Sequence, residues 1–404
     1  MTAIHTSRRR LLQGGAALGA ALTGSLAAPR LLRAQDGPIS VGSLTPLTGV
    51  GGSYGPFMRD AIAGVIDQVN AAGGVLGRQI ALTSEDTQTN PEAAVRAARK
   101  LIDVDGVAAI MGTWASSVTT AVAPLCWESG TMLFCVSGAD SITELPHQGF
   151  IARTQPNSKL QIQVAGDFMV AEGGDSFAWI GPQTPFAQSS IDILAAAADA
   201  SGKAMASLIY EADKTTYRSE VDDIMRGNPD FIMLGGYAAD STILLRDLYQ
   251  AGYEGKLIGP AYAVNASVLE ALPAEVVEGL FTWEGSPAID SGAYAKVQAI
   301  LGVDEVDPYS AQTYDHASLA ILAMGAAGAA SGTAIKDALR SVSQGGGETV
   351  DNAVDGLARL ADGVKIDYSG ASGPCDFDAI GDITGTQFVF KRIAGGVPEV
   401  YKRV

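Results

Sequence analysis

The chain has 404 residues, 47% of them apolar, 18% charged and 7% aromatic, and a formal charge of -17. The apolar share suits a globular protein and the length exceeds what one core usually serves, so two domains are expected, while disorder, collagen and coiled coil fit poorly. The acidic excess repels phosphate backbones and anionic lipid, which argues against nucleic-acid and polybasic membrane binding.

At the start, Ser7-Arg8-Arg9-Arg10-Leu11-Leu12 precedes an Ala/Gly/Leu stretch from Leu11 to Ala28, and Leu32-Arg33-Ala34 offers a small residue for cleavage. This layout predicts a twin-arginine export signal over residues 1–34, cut near Ala34, and a soluble periplasmic protein of 370 residues. Arg8, Arg9, Arg10, Arg30 and Arg33 all lie in that segment and no acid precedes Asp36, so the remainder carries -22. The apolar stretch is too short and too rich in Gly to span a membrane.

Ile39–Leu44 then reads as a strand. Pro56–Ala72 places Phe57, Ala61, Val65 and Val69 on one helical face, and Gly73-Gly74 stops it. Gln79–Ser84 is a second strand. Asn90-Pro91 supplies an N-cap and a proline at the first helical position for a helix running through Leu101 and Ile102. Val107–Gly112 is continuously apolar, as in a parallel strand buried on both faces. Ser116-Ser117 caps the next helix, and Thr131–Val136 is a fourth strand. A second series repeats the alternation: helix 157–171, strand 176–180, helix 186–200, strand 204–210, helix 217–226, strand 230–234, helix 239–251, strand 256–259 and a short helix from Asn265. Helices dominate 293–343, including the Ala-rich Tyr309–Ala330, whose Asp315 and His316 point to burial in a soluble core and not to a membrane span. Cys375–Arg403 is Gly-punctuated and β-rich. The fold class expected is α/β, with two doubly wound lobes.

Catalytic signatures are thin. Gly51-Gly52-Ser53-Tyr54-Gly55 matches the hydrolase nucleophile pattern, but Ser53 lies nine residues past Leu44 with Pro46 and Gly49 between, where that elbow needs a strand turning directly into a helix. A secreted hydrolase using Ser53 is therefore the minor alternative. Two histidines beyond the leader, His147 and His316, and no HxH or HExxH pattern leave no expected metal site, and no cofactor motif is present. Cys126, Cys135 and Cys375 match no zinc or redox spacing; a Cys126–Cys135 disulfide stays open. A chain of this size without a catalytic set points to binding.

Several strings, in order, resemble the periplasmic type I solute-binding proteins of the leucine/isoleucine/valine-binding family, which serve ABC importers. They are Val41-Gly42-Ser43-Leu44-Thr45-Pro46-Leu47-Thr48-Gly49, Asn70-Ala71-Ala72-Gly73-Gly74-Val75-Leu76-Gly77-Arg78, Gly112 with Ser116-Ser117, Arg153-Thr154, Gly235-Gly236-Tyr237, Gly259-Pro260, Thr313-Tyr314 and Phe377-Asp378-Ala379-Ile380-Gly381-Asp382. The resemblance spans residues 38–392. It implies two lobes joined by three hinge crossings near Thr154, Thr282 and 384–390, with lobe 1 over 36–154 and 284–386 and lobe 2 over 155–283 and 387–404. It also implies a small carboxylate or amide ligand in the interlobe cleft, closure on that ligand, and delivery to an ABC permease, with an envelope sensor of the same fold as the alternative.

The residues and the resemblance converge on Ser116. With Ser117 beside it, Ser116 opens a helix whose free N–H groups and dipole favour an anion. By resemblance the next contact segment is Ser137-Gly138-Ala139-Asp140, with Asp140 in a hydroxyl's place; an acceptor-only carboxylate there suits an ammonium or amide N–H. Tyr237 and Phe186 match family aromatics of lobe 2. The family's ammonium-binding glutamate falls on Ala261, which turns the expectation away from α-amino acids. Tyr54, Trp114 and Tyr262 complete an aromatic-walled cleft.

Overall fold

The computed structural model describes residues 37–404, and Pro38–Val404 forms one compact unit. The expected export signal, its twin arginines and its cleavage point near Ala34 lie outside the described residues.

The chain alternates as the pattern of apolar runs predicts: β1 (Ile39–Thr45), α1 (Gly55–Ala71), β2 (Ile80–Asp86), α2 (Pro91–Arg99), β3 (Ala109–Thr113), α3 (Ser116–Ser129), β4 (Met132–Cys135) and β5 (Ile151–Arg153). Next come α4 (Ser158–Ala171), β6 (Ser176–Pro182), α5 (Pro185–Ser201), β7 (Ala204–Tyr210), α6 (Arg218–Met225), β8 (Phe231–Leu234), α7 (Ala238–Gln250) and β9 (Lys256–Pro260). The remainder is α8 (Ala266–Ala271), α9 (Ala274–Val277), β10 (Phe281–Ser286), α10 (Gly292–Leu301), α11 (Pro308–Ala327), α12 (Gly332–Ser343), β11 (Glu348–Val350), α13 (Ala353–Ala361), β12 (Ile366–Gly370), β13 (Gly373–Pro374), β14 (Gln387–Ala394) and β15 (Val397–Arg403). Asn90 and Asn157 cap α2 and α4 through their side chains, accepting from Ala93 and Leu160 N–H. The helix expected to carry through Leu101 instead ends at Arg99 and continues as a π turn over Lys100–Val104.

Two large sheets organise most of these elements, and β11-β12-β13 form a third, small one. The first runs β2-β1-β3-β4-β5 with every pair parallel; the second runs β15-β14-β10-β9-β8-β6-β7, parallel except where β14 pairs with β10 and β15. In both, successive residues of the central strands enter opposite cores. Ala109 and Met111 pack with α1 and α11 residues, whereas Ile110 packs with α2 and α3 residues; Phe177 and Trp179 join one core of the second sheet, Ala178 and Ile180 the other. This two-sided burial is why these strands read as unbroken apolar runs. Asp315 and His316 are fully buried in α11, as their sequence context predicts. Among the described residues no single helix is long and apolar enough to cross a membrane; α11 and α12 pass only as a pair bent by 98°. Cys126, Cys135 and Cys375 are all buried and free, so the open question of a Cys126–Cys135 bridge closes without one.

The chain moves between the sheets after Arg153, after Ser286 and before Gln387. A buried ion pair ties two of these passages. Arg153, at 0% exposure, donates from Nε and Nη2 to Asp382 at 2.7–2.9 Å, from Nη2 to Thr143 Oγ1, and from Nη1 to the carbonyls of Ser137 and Ala139. All five guanidinium N–H groups are thereby used. Asp382 also accepts from Asn157 Nδ2, and Asn157 caps α4.

Removing one member of a buried pair strands the other, so Arg153→Met should cost about 3–5 kcal/mol in chemical denaturation, with partial recovery when Asp382→Asn is added; a loss under about 1 kcal/mol would place the pair outside the fold's supports. His316 donates or accepts at Thr154 Oγ1 (2.7 Å), and burial lowers its pKa from 6.5 to about 3. The unfolded chain takes up this proton and the folded one does not, so the stability it contributes should be present above pH 6.5 and decline as pH falls from 6.5 toward about 3. His316→Gln should flatten that part of the stability–pH curve; an unaltered slope would assign it elsewhere.

Candidate functional site

One cavity gathers segments that directly follow strand carboxyl ends in both sheets, where doubly wound sheets place their ligands. After β3 and β4 come Trp114, Ala115, Ser116, Val136 and Gly138; after β6, β8 and β9 come Thr184, Phe186, Gly235, Tyr237 and Tyr262. Gln155, Gln161 and Tyr309 complete the lining, and the cavity volume is about 40 Å³. No lining residue carries a formal charge.

Local backbone geometry sets this up. Gly112 adopts φ +96° at a register shift between Met111 and Thr113, a bulge that re-aims the chain leaving β3 toward the cleft. A side chain at Gly138 would stand 2.8 Å from the Phe186 ring, so glycine lets the two walls approach.

The helix start at Ser116 differs from a side-chain cap. Ala115 is the N-cap residue and no side chain caps α3; Ser116 Oγ accepts from Ala139 N–H at 3.2 Å instead. Thr119 N–H donates to the Ala115 carbonyl, whereas the N–H groups of Ser116, Ser117 and Val118 have no acceptor among the described residues. On the other wall Tyr237 is the N-cap residue of α7, again without a side-chain cap. Two helix N-termini without a side-chain cap, one from each sheet, thus border one cavity, α3 through Ser116 and α7 through its N-cap residue Tyr237; each end carries partial positive charge, which in α7 is opposed by Asp240 in the first turn. At α5 the Thr184 hydroxyl caps Ala187 N–H.

Aromatic rings form the walls. Trp114 lies 5.7–5.9 Å, centroid to centroid, from Tyr54, Tyr237, Tyr262 and Tyr309, and Phe186 lies 6.4 Å from Tyr262. Tyr54 reaches the cluster through Trp114 and Tyr309 and itself lines a neighbouring groove. Burial raises the phenol pKa values of Tyr54, Tyr262 and Tyr309 and brings Tyr237 to about 12, so all four are neutral at physiological pH.

Of the ten residues expected from the sequence, Trp114, Ser116, Phe186, Tyr237 and Tyr262 line the cavity, and Tyr54 packs against it. The other four lie outside the lining. Ser137 Oγ donates to the Thr113 and Trp114 carbonyls and faces Thr119 Oγ1. The Ala139 carbonyl is taken by Arg153, and its N–H by Ser116. Asp140 accepts from Lys159 N–H beyond the cleft, with burial raising its pKa. Ser117 is half-buried on α3 and absent from the cavity wall. Gln155, Gln161, Thr184 and Tyr309 were missed. Thr184-Pro185 carries a legible cap signal, but the glutamines show nothing in sequence that separates them from surface glutamines. Ser53 is exposed in the turn before α1, and His147 and His316 are bonded to Thr143 and Thr154 respectively.

The profile of the periplasmic binding protein family matches residues 38–355. Over 357 residues the chain is 29% identical to the chemotactic signal transduction system substrate-binding protein BasB of Halobacterium salinarum, covering 85% of this chain and 84% of that one. It is 26% identical over 287 residues to the leucine-, isoleucine-, valine-, threonine- and alanine-binding protein of Pseudomonas aeruginosa, covering 68% and 76%. Among solved structures, the leucine-binding protein LivK of Thermotoga maritima superposes with a TM-score of 0.77 at 19% identity, covering 91% of this chain and 98% of that one. An ABC transporter solute-binding protein of R. palustris in complex with benzoate gives 0.74 at 17% identity, covering 91% and 96%.

Because Trp114 is the first-sheet partner in both ring contacts that cross between the walls among the described residues, Trp114→Ala should lower stability by about 3–5 kcal/mol and enlarge the radius of gyration in X-ray scattering. An unchanged radius would mean that the rings do not hold the walls together.

Proposed function

The chain belongs to the periplasmic binding protein family, and from that premise we propose that it captures a small carboxylate with an apolar or aromatic body and no α-ammonium, for delivery to an ABC permease. The observation that carries this reading is the pair of helix N-termini without a side-chain cap, α3 and α7, bordering one cavity whose lining holds no charged side chain, with α3 the stronger anion site because Asp240 occupies the first turn of α7. A carboxylate there accepts from N–H groups of both lobes and from the Ser116 hydroxyl, while the rings of Trp114, Tyr237 and Tyr262 cover its body. An α-ammonium would enter the same space with no carboxylate to pair it, a cost that burial enlarges. The benzoate complex of the R. palustris relative fits this chemistry.

The mechanism is hinge closure. A cavity of about 40 Å³ holds only a few waters, so a solute enters as the lobes part and is enclosed as they return. The lobes are taken as 36–154 with 284–386 and 155–283 with 387–404, a division that falls inside β10, whose last residues Glu284–Ser286 still pair with β14 in the second sheet. Only the closed arrangement brings both helix N-termini to one anion, and that differential contact is what a ligand uses to shift the equilibrium. Export by the twin-arginine route to the periplasm belongs to the same proposal. The likeness to BasB favours a second reading, in which the closed form is read by a chemotactic transducer; ligand-loaded protein that stimulates ATP hydrolysis by its permease in vesicles selects the first.

A thermal-shift comparison of 4-methylvalerate with leucine and of 3-phenylpropionate with phenylalanine tests the ligand class, since a ligand at 100 times its Kd adds about 2.7 kcal/mol of apparent stability. The des-amino acids should give the larger shifts, and Ser116→Ala combined with Tyr237→Ala should abolish them. Larger shifts with the amino acids, or shifts that survive the double substitution, would overturn the reading.

A further inference from the structure

Two side chains in the cavity wall have hydrogen-bonding capacity that no other described residue uses. Gln161 is 4% exposed and donates from Nε2 to the Pro156 carbonyl at 2.5 Å. A carbonyl accepts only from the amide nitrogen, so this bond fixes which way the amide points and leaves Oε1 without a donor among the described residues. Gln155 is 6% exposed and accepts at Oε1 from Gln312 Nε2 at 2.6 Å, which leaves its own Nε2 without an acceptor among the described residues; Gln312 Oε1 is likewise buried without a donor, so the polarity of this amide pair is set by what Gln155 meets in the cavity. Both side chains line the cavity. Each is anchored from behind, Gln161 by the first passage between the sheets and Gln155 by α11.

We propose that Gln155 and Gln161 form a neutral recognition pair for a second polar group on the bound carboxylate, a hydroxyl or carboxamide that accepts from Gln155 Nε2 and donates to Gln161 Oε1. This rests on the carboxylate reading above and adds the substituent that the ligand carries. The alternatives fail on the same atoms. A second carboxylate would set its lone pairs against Gln161 Oε1, an ammonium would face Gln155 Nε2 and find no counter-charge, and an apolar substituent would leave both amides desolvated and unpaired. A site built around such a pair rejects an isostere that lacks the polar group far more strongly than an apolar pocket rejects a missing methylene.

Calorimetry tests this with two matched pairs of probes, 4-hydroxybenzoate against 4-methylbenzoate and succinamate against valerate. They are titrated into the protein and into Gln155→Met and Gln161→Met variants whose melting transitions show them folded. In at least one pair the polar member should bind about tenfold more tightly or better, and either substitution should bring that preference down to about twofold. Equal affinity within both pairs overturns the amide pair and leaves the carboxylate reading standing, as does a preference that survives both substitutions. No binding by any of the four overturns the carboxylate reading and this inference with it.

Discussion

The ion pair between Arg153 and Asp382 holds the rest of the structure in register. Arg153 ends the last strand of the first sheet, and Asp382 sits on the return passage to the second. The same guanidinium holds the Ala139 carbonyl, the Ala139 N–H reaches Ser116, and Ser116 is the first residue of α3. On the other side Asp382 holds Asn157, which caps α4. One buried charge pair thus links the passages between lobes to a helix N-terminus in the cleft. Such a pair contributes little net stability compared with apolar packing, but it is costly to break singly, so it fixes geometry.

The cleft itself follows from strand and helix direction. Parallel strands deliver every following loop to one edge, and the helices that start there present N–H groups. Where a side chain caps the helix, as Thr184 does in α5, part of that capacity is spent internally; α3 and α7 keep theirs. A protein at -17 overall can therefore offer an anion a favourable local site, although its long-range field does not steer the anion inward. The aromatic walls serve the apolar body, and their raised phenol pKa values keep them uncharged.

Much of this was legible in sequence for identifiable reasons. Continuous apolar runs such as Val107–Gly112 are two-sided strands, and Asn90-Pro91 and Asn157 are caps whose chemistry is local. Tyr237 and Phe186 could be placed through their match to family aromatics, whereas Tyr309, inside a long apolar helix, could not. Side-chain direction was not legible. Ser137 and Asp140 have the chemistry of ligand contacts, yet the carbonyls of Thr113 and Trp114 take the one and the Lys159 N–H takes the other. Gln155 and Gln161 acquire meaning only from Gln312 and Pro156, partners that folding supplies. The short elements β11, α13 and β12 were also passed over, since three to nine residues carry too little periodicity to separate from loop.

The account turns on two helix N-termini receiving a negative charge, and a neutral isostere isolates that claim. Calorimetric titration of benzoate against benzamide, at a pH where the acid is ionised, compares the same ring with and without the charge. The proposed site predicts that benzoate binds about tenfold more tightly or better, as expected for charge-assisted bonds set against neutral ones. Benzamide binding as tightly as benzoate would contradict it.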